Sequence, residues 1–213
     1  MSVTLFSCAE KVVVETNPQQ TASLPMEKNY AEVILSPAEY ISWFKGDENH
    51  LRKTQMVNGV QYTLDYRSPE FLALMQEQNE NITKAELDSA MNEISDLIQF
   101  RLQIEVPGSG KEFLKHNLTN ESDYEPRVKY FAFDMQKDIY LKTEKGDSIP
   151  CSMYHFERTY NVSASSVFLL GFAGAQLEGK TEIIIHEKVF AGQEIRFVFD
   201  PKELKNIPQL KTL

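Results

Sequence analysis

Cysteine is scarce in this chain: two in 213 residues, Cys8 and Cys151, too few for a scaffold built from disulfides. A single Cys8–Cys151 bridge stays open, though a cysteine on a flexible tail makes a poor staple. Long apolar runs are missing, and nothing approaches the ~18–20 residues that a membrane-spanning helix needs. Basic clusters are missing as well. The 22 Lys and Arg are scattered among 31 Asp and Glu, for a net charge of -9 and a pI near 5.0, which argues against a nucleic-acid partner, since phosphate binding depends on clustered cations. There is no HExxH, no GxSxG and no pair of CxxC motifs. What remains is an ordinary globular balance, 42% hydrophobic and 25% charged, with room for one good core or two small domains sharing an interface.

Element signals begin near Tyr30. Residues 32–35 read as a strand, and Ser36-Pro37 opens a short helix carrying Tyr40, Trp43 and Phe44. Residues 51–57 and 60–67 flank Asn58-Gly59, the pair that best tolerates the positive backbone angles of a type I′ turn. Val60, Tyr62, Leu64 and Tyr66 alternate there with Gln61, Thr63, Asp65 and Arg67, which predicts one buried face and one wet face. Two helices are expected, about 69–79 and 84–98. Ser68-Pro69-Glu70 starts the first, and a Thr83 to Glu86 capping box starts the second, with Leu87, Ala90, Met91, Ile94, Leu97 and Ile98 at helical spacing. The period then drops to two over Phe100, Leu102, Ile104 and Val106, a strand stopped by Pro107-Gly108.

From Arg127 onward the residues are β-branched and aromatic with glycines between, and the expected strands are 128–133, 138–143, 152–160, 167–172, 181–189 and 194–199, with no helix among them. Strands joined so tightly must be mostly antiparallel, because a parallel return needs a long crossover. The expected fold is mainly β, with α+β as the variant: an antiparallel β-sandwich or curved sheet with the two helices packed on one side. A single globular domain would cover 30–213, behind a tether over 1–29.

The stretch GAQLEGKT, with Gly174, Gly179, Lys180 and Thr181, fits the phosphate-loop pattern letter for letter. That loop works because a helix begins at its Lys-Thr and points an N-terminal dipole at the phosphates. Here Thr181 leads into Ile183-Ile184-Ile185, which favour strand, and Glu178 brings a carboxylate to the would-be phosphates. The match reads as chance, and no nucleotide is expected. The run Ile195-Arg196-Phe197-Val198-Phe199-Asp200 imitates a metal-binding strand of nucleotide hydrolases, but too little chain follows it for the β-α units of a parallel nucleotide-binding sheet.

The histidines offer little chemistry. Cys151 and His155 sit about 13 Å apart at strand rise, too far for a nucleophile and its base. His155 and Glu157 are about 7 Å apart on one face, a weak candidate site that needs further ligands from another strand. No metal and no cofactor are expected. Tyr154, Phe156 and Tyr160 read as inward-facing sandwich residues ahead of an exposed binding patch. Asn81, Asn117, Asn120 and Asn161 open N-x-[ST] triplets, which carry meaning only in a eukaryotic secreted protein.

Leu5-Phe6-Ser7-Cys8 places an apolar residue at −3, a small one at −1 and then cysteine, followed over 11–27 by a polar stretch with Pro18 and Pro25. This resembles the lipobox of bacterial lipoproteins with most of its hydrophobic leader missing; Phe6 is a looser fit at −2. The resemblance covers these few residues alone. It implies a lipidated Cys8 as the mature first residue, attachment to a membrane, and a place in the bacterial cell envelope on the periplasmic or surface side. The expected role is a non-catalytic binding or assembly module for a protein or glycan. The alternatives are an envelope hydrolase with a site built from distant strands and a cytosolic interaction domain.

Overall fold

The computed structural model describes residues 28–47, 49–77, 81–94, 96–157 and 163–213. In chain order its elements are β1 (Ile34–Leu35), α1 (Pro37–Lys45), β2 (Arg52–Val57), β3 (Val60–Arg67), α2 (Pro69–Glu77), α3 (Lys84–Ile94), β4 (Leu97–Glu105), α4 (Tyr124–Lys129), β5 (Ile139–Lys142), β6 (Ser148–Pro150), β7 (Met153–Glu157), β8 (Ser166–Ala173), β9 (Thr181–Glu187), β10 (Gln193–Phe199), α5 (Pro201–Lys205) and β11 (Gln209–Leu210).

Two antiparallel sheets face each other. The larger has the order β2-β3-β4-β8-β7 and the smaller β10-β9-β5-β6, while β1 and β11 form a two-residue parallel pair. Alternation explains the packing. Val60, Tyr62, Leu64, Phe100, Leu102, Ile104, Phe168, Leu170 and Phe172 from the larger sheet meet Ile139, Leu141, Ile183, Ile185, Ile195, Phe197 and Phe199 from the smaller in one buried cluster. This is the β-sandwich that the period-two pattern predicted. Asn58 and Gly59 sit at φ 51° and 80°, as the tight β2–β3 turn requires.

The sandwich closes differently at its two sides. At one, the chain passes from β6 to β7 through Cys151-Ser152. The Cys151 N–H donates to Ile139 O (3.0 Å) in the smaller sheet, and the Ser152 N–H to Gly171 O (2.9 Å) in the larger, so consecutive residues belong to opposite sheets. At the other side, Gln55 donates to Arg196 O (3.3 Å), and Lys53 pairs with the buried Glu203 at 2.7 Å.

Helices α1, α2 and α3 build a second cluster with Tyr40, Phe44, Leu51, Phe71, Leu74, Ile82, Leu87 and Ala90. It is joined to the sandwich core through Tyr66 and Leu204, which touch both. The helices therefore gather on one side, where β3 leaves the sheet and β4 returns. Ser36 and Glu39 form a full capping box at the start of α1, and the Thr83–Glu86 pair caps α3.

Two local expectations are corrected. Helix α3 stops at Ile94, and Leu97 and Ile98 belong to β4, paired with Ala173 and Phe172. Apolar residues at the end of a helix and the start of a strand had merged into one stripe. Residues 128–133 are helical, not a strand: α4 runs into a π turn (Tyr130–Asp134) and a 3-10 turn (Met135–Asp138). Tyr124, Val128, Phe131 and Met135 recur at spacings of four, three and four, and all reach the sandwich core. Aromatic enrichment had outweighed that helical period.

Candidate functional site

Because Tyr62, Leu64, Phe100, Leu102, Phe168 and Leu170 turn inward, their neighbours in the larger sheet must turn outward. The strand registers arrange these outward side chains in rows. One row reads Arg52, Asp65, Arg101, Leu169 and His155 across the five strands, and the next reads Thr54, Thr63, Gln103, Val167 and Glu157. Beyond them, Arg67 and Gln99 stand towards the helices, and Met56, Gln61 and Glu105 at the opposite end.

Polar side chains on this face hold one another. Asp65 binds Arg52 at 2.6 Å and Arg101 at 3.2 Å, and Arg101 donates to Gln103 (2.9 Å). Glu105 accepts from Gln103 (3.2 Å) and from Gln61 (3.0 Å), while Thr54 and Thr63 bond across the hairpin at 3.2 Å. Arg67 is different. It is half-buried with its guanidinium 5.7 Å from the Phe71 ring, and among the described residues it has no carboxylate or carbonyl acceptor. Burial and the neighbouring Arg101 guanidinium lower its pKa from the usual arginine value.

The composition of the face departs from that of the chain. Among the described residues, three of the five arginines, Arg52, Arg67 and Arg101, lie on it, and none of the fifteen lysines does. The outer face of the smaller sheet is of another kind: Lys142, Lys180, Glu182, Glu194 and Arg196 make it a solvated charge lattice, with Lys180 on Glu182 at 2.7 Å and Arg196 paired to both Glu182 and Glu194.

The residues singled out from sequence fall as follows. His155 and Glu157 are both exposed at the β7 edge of the larger sheet's outer face, so they share the face described above. Tyr154 and Phe156 turn inward against Phe168, with Phe156 stacked on it at 4.6 Å; Tyr160 lies outside the described residues. So do Cys8, the lipobox and the tether as far as residue 27. Gly174 and Gly179 belong to the loop between β8 and β9, which lines a shallow depression of about 310 Å³ together with Glu144, Asp147, Glu178 and Lys145. Strand β9 begins at Thr181, so no helix dipole points into this loop. The Lys180 N–H donates to the Glu144 carboxylate (3.4 Å), and a side chain at 179 would collide with the same carboxylate. A protein carboxylate thus occupies the ground a phosphate would need. Cys151 is buried, donates to Met153 O, and burial pushes its thiol up to about 11.

Two groupings went unseen in the sequence. Tyr140 and His186, on adjacent strands of the smaller sheet, share a hydrogen bond of 2.5 Å, with Glu194 3.7 Å from the same ring nitrogen, beside a shallow depression of about 300 Å³. Their cross-strand neighbourhood depends on a register that spacing alone cannot supply. The second is Glu187, 1% exposed, which accepts from Tyr62 Oη (2.9 Å) and from the backbone N–H groups of Val189 (2.5 Å), Phe190 (2.8 Å) and Ala191 (2.6 Å). It is a buried anion satisfied from within, and its work is to fold the β9–β10 turn. Among the described residues, no three His, Cys, Asp or Glu stand where they could share a metal ion, and no helix is long and apolar enough to cross a membrane. In comparisons with protein-family models, curated proteins and solved structures, no family, protein or structure matches the chain.

Proposed function

We propose that this protein is a non-catalytic binding or assembly module of the bacterial cell envelope, lipid-anchored through Cys8, which meets a macromolecular partner on the outer face of the larger sheet. The observation that carries the binding role is the composition of that face. Arginine, glutamine and methionine without lysine, around the half-buried Val167 and Leu169, is the balance found at protein interfaces, where lysine is depleted because its flexible, strongly hydrated ammonium is costly to immobilise and dry. A protein partner fits this balance better than a glycan, since the outward residues named above include no Phe, Tyr or Trp on which a sugar ring could stack. The envelope location rests on Leu5 to Cys8 alone.

Two measurements test this. The N-terminal peptide from fractionated cells should carry a diacylated, N-acylated Cys8 in the membrane fraction; a free thiol on a chain that retains Met1 or Ser2 would sink the anchor. A photo-crosslinker placed at Met56, exposed on the larger sheet, should give a discrete cross-linked product in cells, and one at Val198 on the smaller sheet should not. Equal labelling from both faces would remove the binding reading. The rival hydrolase reading draws on one observation, the His186, Tyr140 and Glu194 grouping. Turnover of a chromogenic ester, phosphoester or glycoside that disappears in His186→Ala would favour it.

A further inference from the structure

The partner of the larger sheet's outer face can be narrowed by its charge pattern, an inference that rests on that face being an interface. Arg67 and the row of Arg52, Asp65 and Arg101 hold three positive charges and one negative at the helix end. The far half holds Glu157 and Glu105, two negatives and, among the described residues, no positive. The face is thus neutral as a whole and split along the strand direction. Its docking partner must present the reverse pattern, positive over the glutamates and negative over the arginines. It must also supply an acceptor for Arg67, which has none among the described residues.

From this we infer that the face is occupied by a second copy of this chain, related by a two-fold axis lying in the interface and running across the strands. Such an axis reverses the strand direction and keeps each strand beside its own counterpart. It exchanges the two central rows, so the Arg52, Asp65, Arg101, Leu169 and His155 row meets the Thr54, Thr63, Gln103, Val167 and Glu157 row of the second copy. Every pairing is then compatible. Leu169 meets Val167, His155 meets Glu157, Asp65 accepts from Thr63, and Arg101 finds the Gln103 side-chain oxygen. Arg67, in the outer row, comes over Gln61 and beside Glu105, whose carboxylate supplies the missing acceptor. Each contact occurs twice, as an isologous interface demands. The natural twist of each sheet sets the two strand directions about 30° apart and leaves the central rows in register.

The dimensions agree with a reversible dimer. Five strands about 4.8 Å apart and four rows about 6.7 Å apart cover on the order of 600 Å² per copy. That sits at the low end of specific protein interfaces, which bury about 1,200–2,000 Å² over both partners. Each copy carries a net charge of -9, so the association needs salt to screen the overall repulsion while the close pairs persist.

Sedimentation velocity on the full chain, from about 1 to about 300 µM at about 150 mM salt, reads the result directly. The expected outcome is a shift from 24.5 kDa towards twice that mass with rising concentration. Leu169→Arg should weaken the dimer at least ~10-fold, since it puts an arginine against Val167 at the centre. His155→Glu and Glu157→Arg change only exposed residues and leave folding untouched. His155→Glu alone should also weaken the dimer, because two carboxylates then face each other twice. An equimolar mixture of His155→Glu and Glu157→Arg chains should restore association as a heterodimer. A chain that stays monomeric throughout overturns the inference, and so does a dimer indifferent to Leu169→Arg or a mixture that fails to recover. If the chain is monomeric while the Met56 cross-linker still captures a different protein, the face remains an interface and only the second copy is lost.

Discussion

Removing the charge of Glu187 tests whether a buried carboxylate, with no cation beside it among the described residues, holds the end of the sandwich. In Glu187→Gln the amide oxygen can keep the three donors that converge on Oε2, from Tyr62, Phe190 and Ala191, but those bonds lose their charge assistance. The amide N–H₂ then faces the Val189 N–H, donor against donor. Bonds to charged groups contribute about 1.5–3 kcal/mol each and neutral ones about 1, so the net loss should be about 2–4 kcal/mol. Tyr62→Phe removes one charge-assisted bond and should cost about 1.5–3 kcal/mol. In the double variant the tyrosine's share should shrink, because its acceptor is already neutral, and the coupling should exceed about 0.5 kcal/mol. Urea unfolding followed by the fluorescence of Trp43, the only tryptophan, and by far-UV circular dichroism gives all three values. For a chain of this length each kcal/mol moves Tm by about 2–4 °C, so Glu187→Gln should melt about 4–16 °C lower. Single-variant losses below about 0.5 kcal/mol, with no coupling, would refute the reasoning, since the carboxylate would then be satisfied by solvent.

Further outcomes follow from the same structure. Burial raises the phenol pKa of Tyr40, Tyr62, Tyr66, Tyr130 and Tyr154 above the ordinary value of 10.0, so folding holds them neutral. Their contribution is intact below pH 10 and falls as pH rises past it, where the unfolded chain alone ionises. Alkaline titration at 295 nm should therefore show these phenols ionising together with loss of the fold, and reversible ionisation near pH 10 in the folded chain would contradict it. In a Cys8→Ser chain, Cys151 should resist a disulfide reagent at pH 8 and react at once in urea; prompt reaction when folded would mean the β6–β7 corner opens freely. Magnesium-ATP at millimolar concentration should leave Tm unchanged, and a rise that Lys180→Ala abolishes would restore the phosphate-loop reading. Phe168→Ala empties a ring that touches Phe113, Phe131, Tyr154 and Phe156, and should cost about 3–5 kcal/mol in the same urea assay.

Much of the fold was legible because it rests on local rules. Asn58-Gly59 dictates its turn, Ser36 and Thr83 mark helix starts, and the alternation through Tyr62, Phe100 and Ile183 marks strands with one dry face. The strand after Lys180 was legible from three successive isoleucines. Where two periods overlapped, local rules failed. Leu97 and Ile98 extend a helical stripe and also begin a strand, and the aromatic residues of 128–133 hid a helical spacing that only the buried positions of Phe131 and Met135 reveal.

The candidate face was legible only in part. Strand parity alone predicts that Gln61, Thr63, Asp65 and Arg67 turn outward, and that His155 and Glu157 share a face. Which strands adjoin is another matter. Arg52, Arg101, Leu169 and His155 come from positions spread over more than a hundred residues, and their row exists because β4 pairs with β3 on one edge and β8 on the other. Side-chain parity is a property of each residue's own backbone, so the sequence determined it. Strand order and register are settled by how two sheets best bury their apolar faces against each other, a sum over the whole core, and only the tertiary structure could decide it.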